Sequence, residues 1–256
     1  MSARPLIAVH GFMYDPADKG GSNDPAPFFD YMAGISGCEV IGFAWYSAPF
    51  GLRIARPFHS VYQTARAWLT SWLTGHLHPY RLAWDLASKA AADLVVKVQN
   101  TPGVVDLVAH SLGSRVVLLA MLALPKGKVG RVVIFNGAEL ARNARAYAPR
   151  LDATVLNLAV QGDRVLQHLG ANFSGDGDGW CIGTVGLQQR RPTWRDVFLD
   201  DKRVESVAKV RRGWTVRGVA PNDFLDHDAS YRFPGNADLV RAFLAGDNLD
   251  DLAAAW

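Results

Sequence analysis

The chain has 256 residues, about half of them apolar (49%), with a formal net charge of +3. That is enough chain to bury one sizeable core as a single α/β domain over 1–256. Its basic residues are scattered, which argues against nucleic acid as a partner. No stretch reaches the roughly 18 apolar residues of a membrane span, and two cysteines, Cys38 and Cys181, are too few for a disulfide framework. Reduced thiols in a cytoplasmic protein are the expectation.

The first predicted strand is Leu6-Ile7-Ala8-Val9, followed directly by His10-Gly11-Phe12-Met13. A second runs from Val40 to Trp45. Residues 47–78 exceed what a crossover needs. Within them Phe58, Val61, Tyr62, Ala65, Trp68, Leu69, Trp72 and Leu73 fall at helical spacing opposite polar residues. This stripe fits an amphipathic helix on the core; its functional reading is a lid or acyl-binding wall, with Trp68 and Trp72 as substrate contacts and transient contact with a lipid surface. Leu82, Leu86, Leu94, Val95 and Val98 predict the face of a helix that stops at Asn100-Thr101-Pro102-Gly103.

The third strand, Val104 to Val108, runs into Ala109-His110-Ser111-Leu112-Gly113 and then a helix carrying Val116, Val117, Leu119, Ala120 and Leu122. A strand that turns sharply through a serine into a helix exposes the hydroxyl near the positive helix end, and small residues on both sides permit the turn. Further strands follow at Val132–Phe135 and Val155–Val160, and a last one is expected at Trp214–Val219. Continuous rather than alternating hydrophobicity predicts a mainly parallel sheet of about six strands with helices on both faces. The stretch from Gly175 to Gly213, with Trp180, Trp194 and Phe198, is expected to fold over the sheet edge or wall a pocket. A final helix should begin at Asn236 and close at Gly246.

A serine nucleophile needs a base, an acid to orient it, and donors for an oxyanion. Asp163, in Gln161-Gly162-Asp163 just past a strand, is the first choice of acid, with Gly162 permitting the turn; Glu139 is the alternative. Among seven histidines, His10 and His110 lie within motif backbones, His59 on the polar face of the candidate lid, His76 and His78 beside Pro79, and His168 too close to Asp163. His227, in a polar loop before the last helix, completes the order Ser, Asp, His. The backbone N–H of Leu112 is one expected oxyanion donor; that of Phe12 is the other, with Met13 second. Gly11 lets that backbone come close, and His10, Gly11 and Met13 are assigned to substrate binding. Ser174-Gly175-Asp176-Gly177-Asp178-Gly179 lacks the ligand spacing of a calcium loop, and no metal or cofactor is expected.

On His10-Gly11, the Ala109–Gly113 turn, Gly162-Asp163 and His227, the chain resembles the α/β-hydrolase-fold serine hydrolases, esterase- and lipase-like, over roughly Pro5 to Ala245. The resemblance implies that Ser111 attacks an acyl carbonyl, His227 takes its proton, Asp163 holds the imidazole, and Leu112 and Phe12 bind the oxyanion. It also implies a small-molecule ester as substrate, of medium-chain or lipid-like acyl group, cleaved through an acyl-enzyme. Two departures stand out: Ala109 replaces the usual glycine, and the chain starts at what would be the family's third strand, so the first hairpin is missing. A thioesterase or acyltransferase with the same triad, and an inactive binding or scaffold protein, are the competing readings. The oligomeric state is not legible in the sequence.

Overall fold

In the computed structural model, residues 4–21, 23–47, 79–170, 180–218 and 227–254 are described. Six strands, β1 (Leu6–Val9), β2 (Val40–Phe43), β3 (Val105–His110), β4 (Val129–Phe135), β5 (Thr154–Ala159) and β6 (Trp194–Phe198), form one parallel sheet in the order β2-β1-β3-β4-β5-β6. From β1 the chain steps outward to β2 and then returns to the other side of β1 as β3. The C-terminal ends of β1 and β3 therefore form the switch point at which open α/β sheets place their sites.

Side chains alternate between the two faces of each strand, so the sheet divides the core. Ile7, Val9, Leu107 and Ala109 face one cluster, packed under the helices α2 (Pro79–Asn100) and α3 (Gly113–Ala123). Leu6, Ala8, Val108 and Val133 face the other, with Phe28, Met32 and Ile35 of α1 (Ala26–Ser36) and Leu239, Val240 and Phe243 of the helix Asn236–Ala245. Both clusters are built from strands buried on both faces, as their unbroken apolar runs require.

The sequence expectations differ from the structure in three places. The buried face of α2 is Tyr80, Ala83, Trp84, Ala87, Ala90, Ala91, Leu94 and Val98, with Leu82, Leu86 and Val95 only partly covered. Small alanines let α2 and α3 approach closely, so the larger leucines lie beside the seam. The expected strand at Trp214–Val219 does not form in its described part, Trp214–Gly218. The sixth strand is Trp194–Phe198 instead, so this stretch extends the sheet rather than covering its edge. Its charged Arg195 and Asp196 hid the apolar run; Asp196 is buried and accepts from Trp194 Nε1, Asn157 Nδ2 and the Leu187 N–H. Of the candidate lid at 47–78 only Ser47 is among the described residues; Trp68 and Trp72 lie outside them. Among the described residues no helix is long and apolar enough to cross a membrane.

Leu107, fully buried in the central β3, tests the core on the α2/α3 side. Leu107→Ala is expected to lower unfolding free energy by about 2–5 kcal/mol, read from urea denaturation at constant slope.

Candidate active site

The turn after β3 carries the most constrained backbone near the sheet's C-terminal edge. Ser111 has φ 53°, a left-handed conformation that costs a non-glycine residue about 1–3 kcal/mol. Hydrogen bonds hold it there: the Ser111 N–H donates to the Phe135 carbonyl (3.0 Å), and the Ser111 carbonyl accepts from the N–H groups of Ser114 (3.0 Å) and Ala138 (2.9 Å) and from Ser114 Oγ (2.7 Å). Gly113 is needed for close approach: a Cβ there would sit 2.5 Å from the Val9 carbonyl oxygen and 2.6 Å from that of His10. Ala109 is buried and fits the turn without strain.

The loop after β1 is built against this turn. A Cβ on Gly11 would meet the Ser111 Cβ at 2.8 Å, so only glycine lets the two segments touch. The buried His10 ring stacks on Trp45 (centroids 5.6 Å, planes 2° apart) and its Nε2 accepts from the Trp45 N–H at 3.0 Å. Nδ1 therefore carries the proton and donates to the Gly11 carbonyl at 3.0 Å, which also accepts from Ser47 Oγ at 2.8 Å. Met13, at φ 74°, donates its N–H to the Ser47 carbonyl (3.2 Å). That bond removes Met13 as an oxyanion donor in this conformation. The Phe12 and Leu112 N–H groups have no acceptor among the described residues.

Asp163 follows β5 in a buried turn. Its Oδ2 lies 2.6 Å from His227 Nδ1 and accepts from Asn136 Nδ2 at 2.6 Å, while Oδ1 accepts from the Leu166 N–H at 3.1 Å. Burial acts to raise the Asp163 carboxyl, but the His227 charge and these hydrogen bonds outweigh it and hold it below the ordinary range. The turn does not depend on Gly162, where a Cβ would make only ordinary contact. Asp200 shapes it by accepting from the Gln161 and Gly162 N–H groups at 3.0 and 2.8 Å.

Glu139, the alternative acid, faces elsewhere. It is fully buried and paired with Arg115 at 2.9 Å, whose guanidinium covers the Trp84 ring at 4.1 Å, and its other oxygen accepts from the Leu140 N–H and Asn143 Nδ2. Its role is to brace the serine turn, since its own N–H donates to Ser114 Oγ. Asn136 and Asp200 were not anticipated. For Asn136 the available signal was a polar residue directly after a buried strand; Asp200 follows β6, which the sequence did not reveal.

Asp163 and His227 are paired at 2.6 Å, and the His227 ring lies 4.7 Å from that of His110, the chain neighbour of Ser111. Among the described residues no group of three or more His, Cys, Asp or Glu side chains is placed to hold a metal ion. The six-stranded parallel sheet with helices on both faces and the strained strand-to-helix turn after β3 make this an α/β-hydrolase fold.

No family model matches the chain, and no curated protein does. Among solved structures, it is similar to the dienelactone hydrolase-like promiscuous phosphotriesterase P91 from metagenomic libraries (14% identity, 99% of this chain and 89% of that one, TM-score 0.49). It is similar also to m3DLH (16% identity, 92% and 88%, TM-score 0.41) and to esterase PE8 (18% identity, 68% and 76%, TM-score 0.34).

Gly113→Ala is expected to destabilise the protein by about 1–3 kcal/mol or more, because backbone oxygens cannot yield as side chains do; equilibrium unfolding measures it. A second outcome concerns pH. Burial pushes His10 down to about 3 and His110 to about 4, against an ordinary 6.5. Below pH 6.5 the unfolded chain takes up protons that the folded chain refuses, so stability falls as pH falls. Between pH 7 and 4.5 each histidine should cost about 2–3 kcal/mol, visible as a drop in the urea midpoint that His110→Gln reduces.

Proposed function

We propose that the protein is a serine hydrolase that cleaves carboxylic esters through an acyl-enzyme on Ser111. The observations that support this reading are the 2.6 Å Asp163–His227 pair, the 4.7 Å ring contact of His227 with His110, and the serine after His110 held at positive φ. In the first step Ser111 Oγ attacks the ester carbonyl carbon and His227 Nε2 takes the hydroxyl proton. Asp163 keeps the other ring nitrogen protonated and stabilises the imidazolium. Negative charge moves to the carbonyl oxygen, where the Phe12 and Leu112 N–H groups receive it. Collapse expels the alcohol, which leaves with the proton from His227. Water, deprotonated by His227, then attacks the acyl carbon and the acid departs from Ser111.

His10 and Ser47 support this reading of the oxyanion loop, because both donate to the Gly11 carbonyl, and Trp45 sets the His10 tautomer by donating to Nε2. A medium-chain acyl group is proposed on the apolar stripe of Trp68 and Trp72 in the sequence.

The test is hydrolysis of p-nitrophenyl esters of increasing chain length. Ser111→Ala should abolish turnover, and Asp163→Asn should lower kcat by about 10³–10⁴-fold with the fold intact. Equal rates in wild type and Ser111→Ala would remove Ser111 from the mechanism. Folded wild type inert towards every ester would favour the binding-protein reading.

A further inference from the structure

A catalytic base must be fixed in more than one place, and Asp163 accounts for one side of His227. The main chain of His227 meets a second histidine. His110 is enclosed by Phe28, Tyr231 and His227, with ring centroids at 6.2, 4.8 and 4.7 Å. Its Nε2 lies 3.3 Å from the His227 carbonyl oxygen and 3.6 Å from Asp228 Oδ1. Since a carbonyl only accepts, Nε2 carries the proton and Nδ1 the lone pair. Nδ1 is buried with no hydrogen-bond partner among the described residues. Tyr231 packs edge-on against the His110 ring, and Asp228 Oδ2 is paired with Arg232 at 3.1 Å.

We propose that His110, backed by Asp228 and Tyr231, is a positioning residue that clamps the main chain of His227 and holds the base in register with Ser111. The proposal rests on the serine-hydrolase reading above. Its physical content is a link of one residue: His110 ends β3, its own chain continues into Ser111, and its side chain grips the backbone of the base. The Asp163 hydrogen bond alone leaves the imidazole free to tilt about that bond, whereas a second anchor on the main chain removes the freedom. Displacements of about 1 Å at a reacting group cost on the order of 10²-fold in rate.

The clamp works with His110 neutral, because a charged ring would repel the imidazolium that forms on His227 4.7 Å away. Burial and the His227 charge both keep His110 neutral, against the pull of Asp228 and Asp163, and His10 is the further titratable neighbour. Burial opposes ionisation of Asp228, yet the neighbouring imidazoles and Arg232 outweigh it and hold the carboxyl below the ordinary range.

The experiment compares His110→Phe, which fills the aromatic cage without a donor, with His110→Gln, whose amide N–H reaches the Nε2 position. The full chain is assayed with p-nitrophenyl butyrate, and the downfield proton NMR signal of the His227–Asp163 hydrogen bond is recorded. His110→Phe should lower kcat by about 10–100-fold with KM within about twofold. His110→Gln should recover most of that loss, and the NMR signal broadened in the Phe variant should sharpen again. An unchanged kcat in His110→Phe, or equal losses in both folded variants, would overturn the clamp and leave His110 a packing residue. If His110→Phe does not fold, Asp228→Ala replaces it: a kcat loss of about threefold or more at constant KM supports the clamp, and no loss overturns it. If wild type shows the NMR signal but hydrolyses no ester, the functional reading fails. The clamp is then judged by the signal alone: loss in Phe and return in Gln supports it, and persistence in Phe overturns it.

Discussion

The strained turn at Ser111 is the constraint around which the rest of the molecule is arranged. A serine at φ 53° persists only where its surroundings over-determine it, and here its N–H is bonded to the end of β4 and its carbonyl to Ala138 in the loop that follows. Ser114 extends that hold, because its hydroxyl donates to the Ser111 carbonyl and accepts from the Glu139 N–H. Glu139 in turn is fixed by Arg115, which lies over Trp84 of α2. The parallel sheet sets the turn in place, the helices lock it, and the glycines at 11 and 113 let β1 and its loop press against it.

Charge is distributed with similar economy. Asp163 is held ionised by three hydrogen bonds in a buried turn, while His10 and His110 are kept neutral by burial. The buried Arg115–Glu139 pair does not add a free charge, since each partner is neutralised by the other. Burial raises the Glu139 carboxyl and the Arg115 charge opposes that rise. Such a pair contributes less net stability than its short distance suggests, and its value here is in fixing geometry.

Much of this was legible in the sequence because the signals were local. The apolar β-branched runs located five strands, and Ala109–Gly113 identified the turn without reference to any distant residue. Asp163 followed from its place after a strand and His227 from chain order, although the strand expected before His227 does not form in its described part. What stayed hidden depends on residues far apart in sequence. Trp194–Phe198 did not read as a strand, because Asp196 is buried only by virtue of donors on Asn157, Trp194 and Leu187. Asp200 and Ser47 act on backbone groups of another segment, and Asn136 and Asp228 on the side chains of Asp163 and His110, which no periodicity reports. The packed face of α2 was read only in part: Leu94 and Val98 lie on it, but the alanines that line it are weakly apolar.

The central claim is that the geometry makes one hydroxyl in the chain a nucleophile. Labelling with a fluorophosphonate, followed by mass spectrometry of the digested protein, tests it most directly. The account predicts one phosphonyl group per chain, on the peptide containing Ser111, with labelling lost in His227→Gln while the fold is retained. Labelling spread over several serines, or none at Ser111 in folded protein, would contradict it.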